Sequence, residues 1–590
     1  MKAFVRYHAP DGQCYWLAGV RPATIVSAQV PAEVLPAIAQ VERACQQGLA
    51  AIGYVAYEAA HGLDKAFPYA EIPLPLVWFA VFEELHPIEP SVPCPTALLA
   101  WHPTVSQQAY LAAVERIKQY ILAGDVYQVN YSFRLRATFE GDPVSLFWQL
   151  YHAQPVPYAA YIDTEQFAIL SLSPELFFAL DRERLISRPM KGTAPRGLWW
   201  EHDLQQATTL RHSEKNRAEN LMIVDMVRND LGRVARVGSV RVPALFETER
   251  YATVWQMTST VEALTDASLA EIFRALFPGA SVTGAPKIRA TQIIHELETT
   301  PRGVYTGAVG IVLPNRHAQF NLAIRTLVYH KAHQQLEYGV GSGIVWDSEP
   351  LAEYAECLSK AQVLLSPRPE FELLETMLWH PDKGYFLLKK HLRRLARSAE
   401  YFGFRHNPEQ VRAELQKMER LWKQEVAASS LRRALRVRLL LDRDGCIRIQ
   451  YAPLDRRPHP WRVALAPEPV NPQMVFLYHK TTHRAMYERA RAARPDCDEV
   501  ILWNTRGEIT EATTANVVVQ LGGKLYTPPV ACGLLNGVYR EHLLESGRID
   551  ERVITVEDLL RAERLYLINS VRGWIAAKLA PELPRLKCQS

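Results

Sequence analysis

Three charged residues beyond the midpoint of the sequence are spaced so that they share one face of a helix. In the stretch SEPLAEYAECLSKA, Glu353 and Glu356 are three residues apart, and Lys360 follows Glu356 by four. Spacing alone is compatible with a solvated face that carries a single Glu–Lys pair. Two neighbouring carboxylates are also the ligands that a hard cation such as Mg²⁺ prefers, so the stretch is a candidate metal site.

A glycine-rich run, GVGSG, precedes this helix. Its alternate glycines are Gly339, Gly341 and Gly343. The run does not match a dinucleotide fingerprint, because the third glycine comes too early and no helix opens there. Glycines without side chains can instead bring backbone N–H groups close to a bound carboxylate.

A lysine and a glutamate earlier in the chain are further candidates for chemistry. Lys191 lies in RPMKGTAPRG, a run so rich in Pro, Gly and Arg that we expect a shaped turn. It is either a solvated surface charge or a nucleophile that its turn holds in place. Glu219 interrupts the apolar pattern of RAENLMIVDMVRND, as a residue that faces a site would, although a helix-surface glutamate fits equally well.

The segments around these residues mix helical and strand periods. SQQAYLAAVERIKQYILAG predicts a helix that ends at Gly124, and SEKNRAENLMIVDMVRNDLG predicts another, with Ser213 as N-cap and Gly232 at its end. FAILSL and QFNLAIRTLVY are typical of strands. Because strands and helices come in blocks rather than in strict alternation, the pattern favours an α+β fold.

Two prolines divide the chain. A helical pattern that starts at Glu353 stops at Ser366–Pro367–Arg368–Pro369, which predicts a short, stiff connector. A new series of predicted elements follows these prolines: a turn at HPDKG, a strand-like YFLL and the helix KKHLRRLARSAEYFGF. We therefore expect two domains, 1–366 and 370–590.

Composition limits the class of protein. The 590 residues are 48% hydrophobic and 22% charged, which is typical of globular domains, and the net charge of +4 does not indicate a nucleic-acid partner. No stretch approaches the roughly 18 apolar residues of a membrane span, and no signal core follows the first residues. The eight cysteines form no C-x-x-C pair, so we expect reduced thiols and a cytoplasmic protein.

Eight ordered motifs give the first domain a family resemblance. They are GDVYQVNYSFRL, LSLSPELFF, RPMKGTAPRG, RAENLMIVDMVRNDLGR, FPGASVTGAPKIRA, RGVYTGAVG, FNLAIRTL and the Gly339–Ala361 stretch. In this order they resemble the chorismate-utilising enzymes, which include component I of anthranilate synthase and of aminodeoxychorismate synthase. The resemblance covers about residues 1–365 and implies that family's fold of antiparallel sheets with helices.

The resemblance also implies a role for Lys191. Anthranilate synthases carry alanine at this position of a P-I-A-G-T stretch, whereas a lysine marks the aminodeoxychorismate synthases. In the family mechanism the lysine amine adds at C2 of chorismate as the C4 hydroxyl leaves, and ammonia then adds at C4 and expels the lysine. The attacking amine must be neutral, so we expect burial or nearby positive charge to lower its pKa, with Arg188 and Arg196 as the candidate charges.

Further roles follow from matching positions. Glu175 resembles the general acid that helps the C4 hydroxyl to leave. Glu219, Glu353 and Glu356 match the family's magnesium carboxylates. The expected substrate contacts are Thr193, Ser281, Tyr305, Arg325, Gly339, Gly341, Gly343 and Lys360. One departure is Gln256, where anthranilate synthases carry a histidine; glutamine cannot titrate, so no proton transfer is expected there.

The second domain resembles another family. LETMLWHPDKGYFLLKKHLRRLARSAEYFGF, FLYHKTTHRAMYERA, DEVILWNTRGEITEATTANVVV, CGLLNGVYREHLL and LINSVRGW are similar, in this order, to the fold-type IV pyridoxal-phosphate enzymes. These include branched-chain and D-amino-acid aminotransferases and aminodeoxychorismate lyase. The resemblance covers about residues 370–580 and implies pyridoxal 5′-phosphate as a cofactor.

The resemblance implies roles for residues within these motifs, and the cofactor's chemistry fits them. Lys480 matches the lysine that forms a Schiff base with the cofactor. Glu511 matches the carboxylate that keeps the pyridine nitrogen protonated. Arg394, together with Val538 and Tyr539 after Gly537, matches the phosphate contacts at a helix N-terminus. Many relatives carry threonine in place of Tyr539, so a backbone contact is the firmer expectation there.

Together the resemblances imply two consecutive reactions. The first domain would make 4-amino-4-deoxychorismate from chorismate and ammonia, and the second would eliminate pyruvate to leave 4-aminobenzoate. No amidotransferase motif is found, so ammonia is expected from solution or from a separate glutamine amidotransferase subunit; a homodimer through the second domain is a further option. The alternatives are an anthranilate or salicylate synthase fused to an aminotransferase, and a non-catalytic scaffold.

Overall fold

The computed structural model describes residues 2–91, 99–361, 369–427, 433–455 and 459–580. The chain forms two units, and the division does not follow the sequence strictly. Unit 1 comprises residues 1–195 and 206–368, and unit 2 comprises 196–205 and 369–590. The predicted proline connector falls largely on residues 366–368, outside the described residues.

Unit 1 is built from long antiparallel strands. Strands β1 to β20 are Lys2–His8, Cys14–Val20, Thr24–Ala28, Ala50–Val55, Val77–Phe82, His86–Pro87, His102–Pro103, Gln128–Thr138, Tyr158–Asp163, Phe167–Ser173, Leu176–Asp181, Arg184–Arg188, Met190–Pro195, Arg241–Arg250, Val254–Leu264, Gly284–Ala285, Ala308–Leu313, His317–Leu322, Thr326–His330 and Gln335–Ile344. Helices α1 to α9 are Val34–Gln46, Ala60–Leu63, Gln107–Leu122, Pro143–Ala153, Trp200–His212, Glu214–Gly232, Leu269–Leu276, Lys287–Leu297 and Pro350–Ala361.

The strands form two sheets that pack face to face. One has the order β16-β8-β20-β19-β10-β9-β1-β2-β6, and the other β13-β15-β12-β11-β18-β17-β4-β5-β3. Apolar side chains of both sheets, such as Val5 and Ile169 from one and Ile52 and Ile311 from the other, fill the layer between them. Helices α1, α6 and α7 cover the outer face of the second sheet, and α3, α4, α8 and α9 cover that of the first. The predicted α+β class is confirmed.

The two predicted helices of this unit are also confirmed. Helix α6 begins after Ser213, whose side chain accepts a hydrogen bond from the Asn216 N–H, and it ends at Gly232. Helix α3 is capped in the same way by Ser106, and Gly124 just beyond it takes a positive φ of 80°. These caps fix the ends of the helices that flank the candidate site.

The stretch around Lys191 is not the turn that its composition predicted. It forms β13, which pairs with β15 with a shift of register between Met190 and Thr193. Gly192, at the shift, has a φ of 102°, which explains why glycine follows the lysine. Lys191 is therefore carried by an irregular strand.

Unit 2 contains a small antiparallel sheet and a larger mixed one. Strands β21 to β32 are Leu373–His380, Gly384–Tyr385, Leu435–Leu441, Ile447–Pro453, Trp461–Leu465, Glu499–Trp503, Ile509–Ala512, Asn516–Leu521, Lys524–Thr527, Asp550–Glu551, Arg564–Asn569 and Gly573–Leu579. Helices α10 to α14 are Leu388–Phe402, Pro408–Ala427, Ala485–Ala492, Val538–Glu545 and Val556–Arg561.

The small sheet has the order β22-β21-β23-β24, and helices α10 and α11 pack on it. The larger sheet has the order β27-β26-β25-β32-β31-β28-β29-β30, with parallel pairs on both sides of β25. The predicted strand YFLL is wrong beyond Tyr385, because Leu387 adopts a left-handed conformation that starts α10. Among the described residues, no helix combines the length and hydropathy needed to cross a bilayer.

Candidate active sites

Lys191 lies inside a site of unit 1 rather than on an open surface. Its side chain is 18% exposed, and its Nζ lies 3.7 Å from Oε2 of Glu219 on α6. The β20 backbone comes so close that a Cβ at Gly343 would lie 2.6 Å from that Nζ. A side chain at Gly343 would have to displace this amine, so Lys191 packs against the strand and the surface alternative for it is disfavoured.

Glu175 is a buried acid close to Lys191. Its Oε1 accepts hydrogen bonds from Ser281 Oγ at 2.6 Å and from the Met190 N–H at 3.4 Å. Burial raises the pKa of Glu175 to about 7, although the Ser281 and Met190 hydrogen bonds and the charge of Lys191 act in the opposite direction. A large fraction of the molecules therefore carry a protonated Glu175 at neutral pH, and a general acid must be protonated to act.

The alternate glycines of β20 share one face of the strand. A Cβ at Gly339 would lie 2.2 Å from the Tyr305 ring, and one at Gly343 would meet Lys191. The carbonyl oxygen of the central glycine, Gly341, accepts a hydrogen bond from Lys360 Nζ at 2.9 Å. Tyr305, the glycines and Lys360, all predicted to contact the substrate, thus lie close to one another.

The three predicted metal carboxylates all have partners. Glu219 faces Lys191, Glu353 accepts a hydrogen bond from Ser348 Oγ at 2.7 Å, and Glu356 pairs with Lys360 at 2.7 Å. Partial burial would raise the pKa of Glu356, but Lys360, and then Lys191 and Lys215, lower it overall. Within the described part of the chain, no three acidic, histidine or cysteine side chains converge as a metal cluster. The carboxylates have suitable oxygen donors but are not arranged around a common point.

Two further predicted contacts differ in their surroundings. Arg325 adopts a left-handed φ of 50°, and burial lowers the pKa of its guanidinium, although Tyr338 and Tyr251 nearby act against this. Thr193 is exposed, and its hydroxyl donates to Gln256 Oε1 at 2.8 Å. Gln256 therefore contacts Thr193, a predicted substrate contact, through a side chain that cannot titrate.

The arginines expected to lower the pKa of Lys191 are both paired with carboxylates. Arg188 Nη2 lies 2.9 Å from Glu249 Oε1 and 3.3 Å from Glu247 Oε2. Arg196 belongs to unit 2, where it pairs with Asp203 at 2.7 Å. Both arginines thus have carboxylate partners of their own, and the charged partner of Lys191 is the carboxylate of Glu219.

Gln128 was not singled out from the sequence. It lies on β8, is fully buried, and neither its amide nitrogen nor its oxygen has a hydrogen-bond partner among the described residues. A Cβ at Gly343 would lie 2.9 Å from Gln128 Nε2, so this amide is a neighbour of Lys191. The sequence signal that could have drawn attention to Gln128 was its polar side chain within the strand-like QVNYSF. Strand periodicity, however, does not reveal what that side chain faces.

Lys480 lines a cavity of about 470 Å³ in unit 2. Enclosure lowers the pKa of its amine to about 8, with Arg394 and Arg484 adding positive charge nearby. A substantial fraction of the amine is therefore neutral at mildly alkaline pH, which a nucleophilic lysine requires.

Glu511 lines the same cavity and is buried. Its Oε1 accepts a hydrogen bond from Tyr487 Oη at 2.7 Å. Burial raises the pKa of Glu511 to about 7, while Tyr487, a backbone hydrogen bond, Arg484 and Lys480 oppose the shift. A cationic ring nitrogen placed against this carboxylate would restore its charged form.

A third part of the cavity suits a phosphate. Arg394 is held by Glu375 through two hydrogen bonds of 2.8 and 2.7 Å, and its Nη1 donates to the Asn536 carbonyl. Burial would raise the pKa of Glu375, but Arg394 and His391 lower it to about 2, so the pair is ionic. Helix α13 opens into the cavity at Val538, and its first N–H groups have no acceptor within the helix.

Gly537, the N-cap of α13, has no room for a side chain. A Cβ there would lie 1.9 Å from Asn516 Oδ1. Val538 and Tyr539, the predicted phosphate contacts, follow it and line the cavity. An amine, a carboxylate, an arginine and a helix N-terminus in one cavity fit the donor set that pyridoxal phosphate needs. The cavity is also lined by the further cations Arg436, Arg438, Arg484, Arg491 and Arg572.

Two regions of the chain match known families. Residues 86–366 match the chorismate binding enzyme family, and residues 372–579 match the class IV amino-transferases. The chain therefore joins a chorismate binding enzyme domain to a class IV amino-transferase domain, and both resemblances are confirmed.

Particular relatives match the first domain. Aminodeoxychorismate synthase component 1 of Klebsiella aerogenes is 44% identical over 272 residues, which are 46% of this chain and 60% of that protein. An anthranilate synthase component 1 of Haloarcula marismortui is 42% identical over 262 residues, covering 44% and 52%. The crystal structure of anthranilate synthase component I from Streptococcus pneumoniae TIGR4 is 26% identical, with a TM-score of 0.50 over 62% of this chain and 90% of that one. The chain thus spans only about half to three-fifths of those two sequence relatives' lengths.

Proposed function

We propose that this chain converts chorismate and ammonia to 4-amino-4-deoxychorismate and then eliminates pyruvate to give 4-aminobenzoate. The observation that carries the first step is Lys191, enclosed beside Glu219 and pressed against Gly343. Relatives of both product types are about equally identical to this chain, so overall identity does not choose between them. The lysine does, because direct attack of ammonia at C2 has no use for a second amine.

The first site supplies an acid and a nucleophile close together. The protonated Glu175 gives its proton to the departing C4 hydroxyl while the neutral Lys191 amine adds at C2. Ammonia then adds at C4, and the bond from C2 to Lys191 breaks. Tyr305, Arg325 and the backbone of the β20 glycines hold the substrate carboxylates. Ser281 supports this assignment, because its hydroxyl fixes the Glu175 carboxyl at 2.6 Å.

We propose Glu219, Glu353 and Glu356 as the carboxylates that hold Mg²⁺. The ion would neutralise a substrate carboxylate and anchor it in the site. Support comes from the carboxylate oxygens that all three groups offer and from Lys191, a neighbour of two of them. Glu219 pairs with Lys191, and the same lysine lowers the pKa of Glu356. Binding requires these side chains to exchange their present partners for the ion.

In the second site, Lys480 would hold pyridoxal phosphate and afterwards act as a base. The cofactor supplies an electron sink for the bond that breaks when pyruvate leaves. Glu511 would keep its ring nitrogen protonated, and Arg394 with the start of α13 would hold its phosphate. The Lys480 amine would take the proton from C4 of the substrate ring. A cavity lined by several arginines suits a substrate with two carboxylates, such as 4-amino-4-deoxychorismate.

The proposed ammonia source is a separate glutaminase subunit, because the sequence holds no amidotransferase motif. A homodimer through the second domain remains part of the proposal. Purified chain should use ammonium salts but not glutamine; efficient use of glutamine by the chain alone would overturn the glutaminase proposal.

The test of the proposed function is product identification. Chorismate, ammonium, Mg²⁺ and pyridoxal phosphate are incubated with the chain, and products are separated and identified by mass spectrometry. 4-Aminobenzoate and pyruvate in equal amounts are expected. Anthranilate as the main product would reject the proposed first step, and accumulated aminodeoxychorismate without 4-aminobenzoate would reject the second.

A further inference from the structure

A short segment from the first half of the sequence belongs to unit 2. The chain leaves unit 1 directly after β13, which carries Lys191, and residues 196–205 are part of unit 2. Helix α5, Trp200–His212, begins within this segment and continues into unit 1. We refer to residues 196–205 as the inserted segment.

A buried ion pair fixes the inserted segment. Arg196 donates through Nε and Nη2 to the two carboxylate oxygens of Asp203, at 2.7 and 2.8 Å, and their side chains are 5% and 1% exposed. Asp203 Oδ1 also accepts from the Gly197 N–H at 2.9 Å. A Cβ at Gly197 would lie 2.1 Å from the Asp203 backbone nitrogen. Because a buried pair is stable only when its geometry and hydrogen bonds are complete, this segment has a defined shape.

The fixed segment then contacts Tyr401 on α10. Arg196 Nη2 donates to the Tyr401 carbonyl at 3.1 Å, and its guanidinium lies 4.2 Å from the centre of the Tyr401 ring. The Tyr401 hydroxyl donates to the Gly197 carbonyl at 2.8 Å. Tyr401 is thus held at its backbone, its ring and its hydroxyl by two consecutive residues of the segment.

These contacts lead to the two residues that precede Lys480. The Tyr401 ring lies 4.3 Å from the imidazole of His479, and Trp199 stacks on Tyr478 with ring centres 5.3 Å apart. Ser398 Oγ contacts His479 Nδ1 at 3.0 Å in the buried interior. On the other side, the Lys480 carbonyl accepts from the Leu374 N–H of β21 at 2.9 Å. The Lys480 backbone is therefore held between β21 and side chains that rest on the inserted segment.

We propose that the inserted segment is a positioning element for Lys480, with Trp199 and Arg196 acting through Tyr478, Tyr401 and His479. The inference rests on the proposed role of Lys480 as the lysine that holds the cofactor. It means that the second active site depends on residues that follow the first catalytic lysine by only a few positions in the chain.

Three full-length variants with pyridoxal phosphate test this. Trp199→Ala removes the stack on Tyr478, Trp199→Phe restores an aromatic ring, and Tyr401→Phe removes only the hydroxyl bonded to Gly197. The matched control is Glu201→Gln, in the same segment, which removes the carboxylate charge from an exposed contact to Arg397. The readouts are the absorbance of the bound cofactor titrated against pH, and kcat and KM for pyruvate release.

Trp199→Ala should shift the midpoint of the absorbance titration and lower kcat about 10²-fold with little change in KM, because a small displacement of the amine is enough for such a loss. Tyr401→Phe should shift both in the same direction but less, Trp199→Phe should recover most of the loss, and Glu201→Gln should match wild type. A Trp199→Ala protein with an unchanged midpoint and kcat would overturn the proposal. If it fails to fold, an unchanged Tyr401→Phe overturns it instead. Wild type that releases no pyruvate would reject the lyase function, while the absorbance titration would still test the positioning.

Discussion

Replacing Lys480 with methionine should stabilise unit 2 in cofactor-free protein while abolishing its chemistry. Enclosure lowers the pKa of the Lys480 amine from an ordinary 10.5 to about 8. Each unit of difference between folded and unfolded chains corresponds to about 1.36 kcal/mol, so the charged amine destabilises the folded state by up to about 3 kcal/mol at pH 7. Methionine is similar in length and carries no charge, so Lys480→Met should recover most of this free energy.

The direction of the Lys480 pKa shift determines how the stabilisation by Lys480→Met depends on pH. Since the pKa is lower in the folded state, the penalty is complete below pH 8 and disappears as the pH rises towards 10.5. The advantage of Lys480→Met should therefore fall to less than half of its neutral value by about pH 9.5. If the stability advantage of Lys480→Met did not decrease with rising pH, it would reflect better packing rather than removal of a charge.

Scanning calorimetry of cofactor-free protein measures the effect. The transition of unit 2 is identified as the one that shifts when pyridoxal phosphate is added to wild type. A gain of about 3 kcal/mol should raise its midpoint by roughly 6–12 °C for a unit of this size. The control is Lys417→Met on α11, where the lysine side chain is 70% exposed and a change within about 0.5 kcal/mol is expected. No stabilisation at pH 7, or an advantage that does not narrow with pH, would refute the reasoning.

Three further predictions concern the first site. Lys191→Ala should reduce aminodeoxychorismate formation by at least about 10²-fold with an unchanged circular dichroism spectrum; amination at the wild-type rate would contradict the assignment. Because the pKa of Glu175 is about 7 and its acid form is the active one, chorismate consumption should decline as pH rises through 7. Glu175→Gln should remove that decline and lower the rate by about 10²-fold or more, and a decline that persists in this variant would exclude Glu175 as its cause. Glu356→Gln should raise the Mg²⁺ concentration for half-maximal activity about tenfold, whereas turnover indifferent to a chelator would reject the metal site.

Capping residues and helical spacing, which depend only on neighbouring residues, explain why much of the fold of unit 1 could be predicted. The Ser213 cap and the closing Gly232 of α6 are chemical features of the helix itself, so they are visible in the sequence. The Glu356–Lys360 pair follows from helical spacing in the same way. The two family resemblances are carried by short ordered motifs, and the matched regions agree with them.

The features that sequence reasoning missed depend on distant parts of the chain. RPMKGTAPRG has the composition of a turn, but pairing with β15 makes it a strand. Arg196 and Asp203 form a local pair, yet the segment that holds them packs in unit 2, about 160 residues before the rest of that unit begins. The position of Gln128 beside Lys191 arises only because β20 pairs with β8. Tertiary packing decides all three.

The most direct test of two consecutive reactions is a time course with Lys480→Ala in full-length protein. Chorismate, aminodeoxychorismate, pyruvate and 4-aminobenzoate are followed with ammonium, Mg²⁺ and pyridoxal phosphate supplied. Wild type should pass through aminodeoxychorismate to 4-aminobenzoate and pyruvate. The variant should consume chorismate at the wild-type rate, because Lys191 and Glu175 are untouched, and aminodeoxychorismate should accumulate. Undiminished pyruvate and 4-aminobenzoate from the variant would contradict the assignment of Lys480 and of the second site.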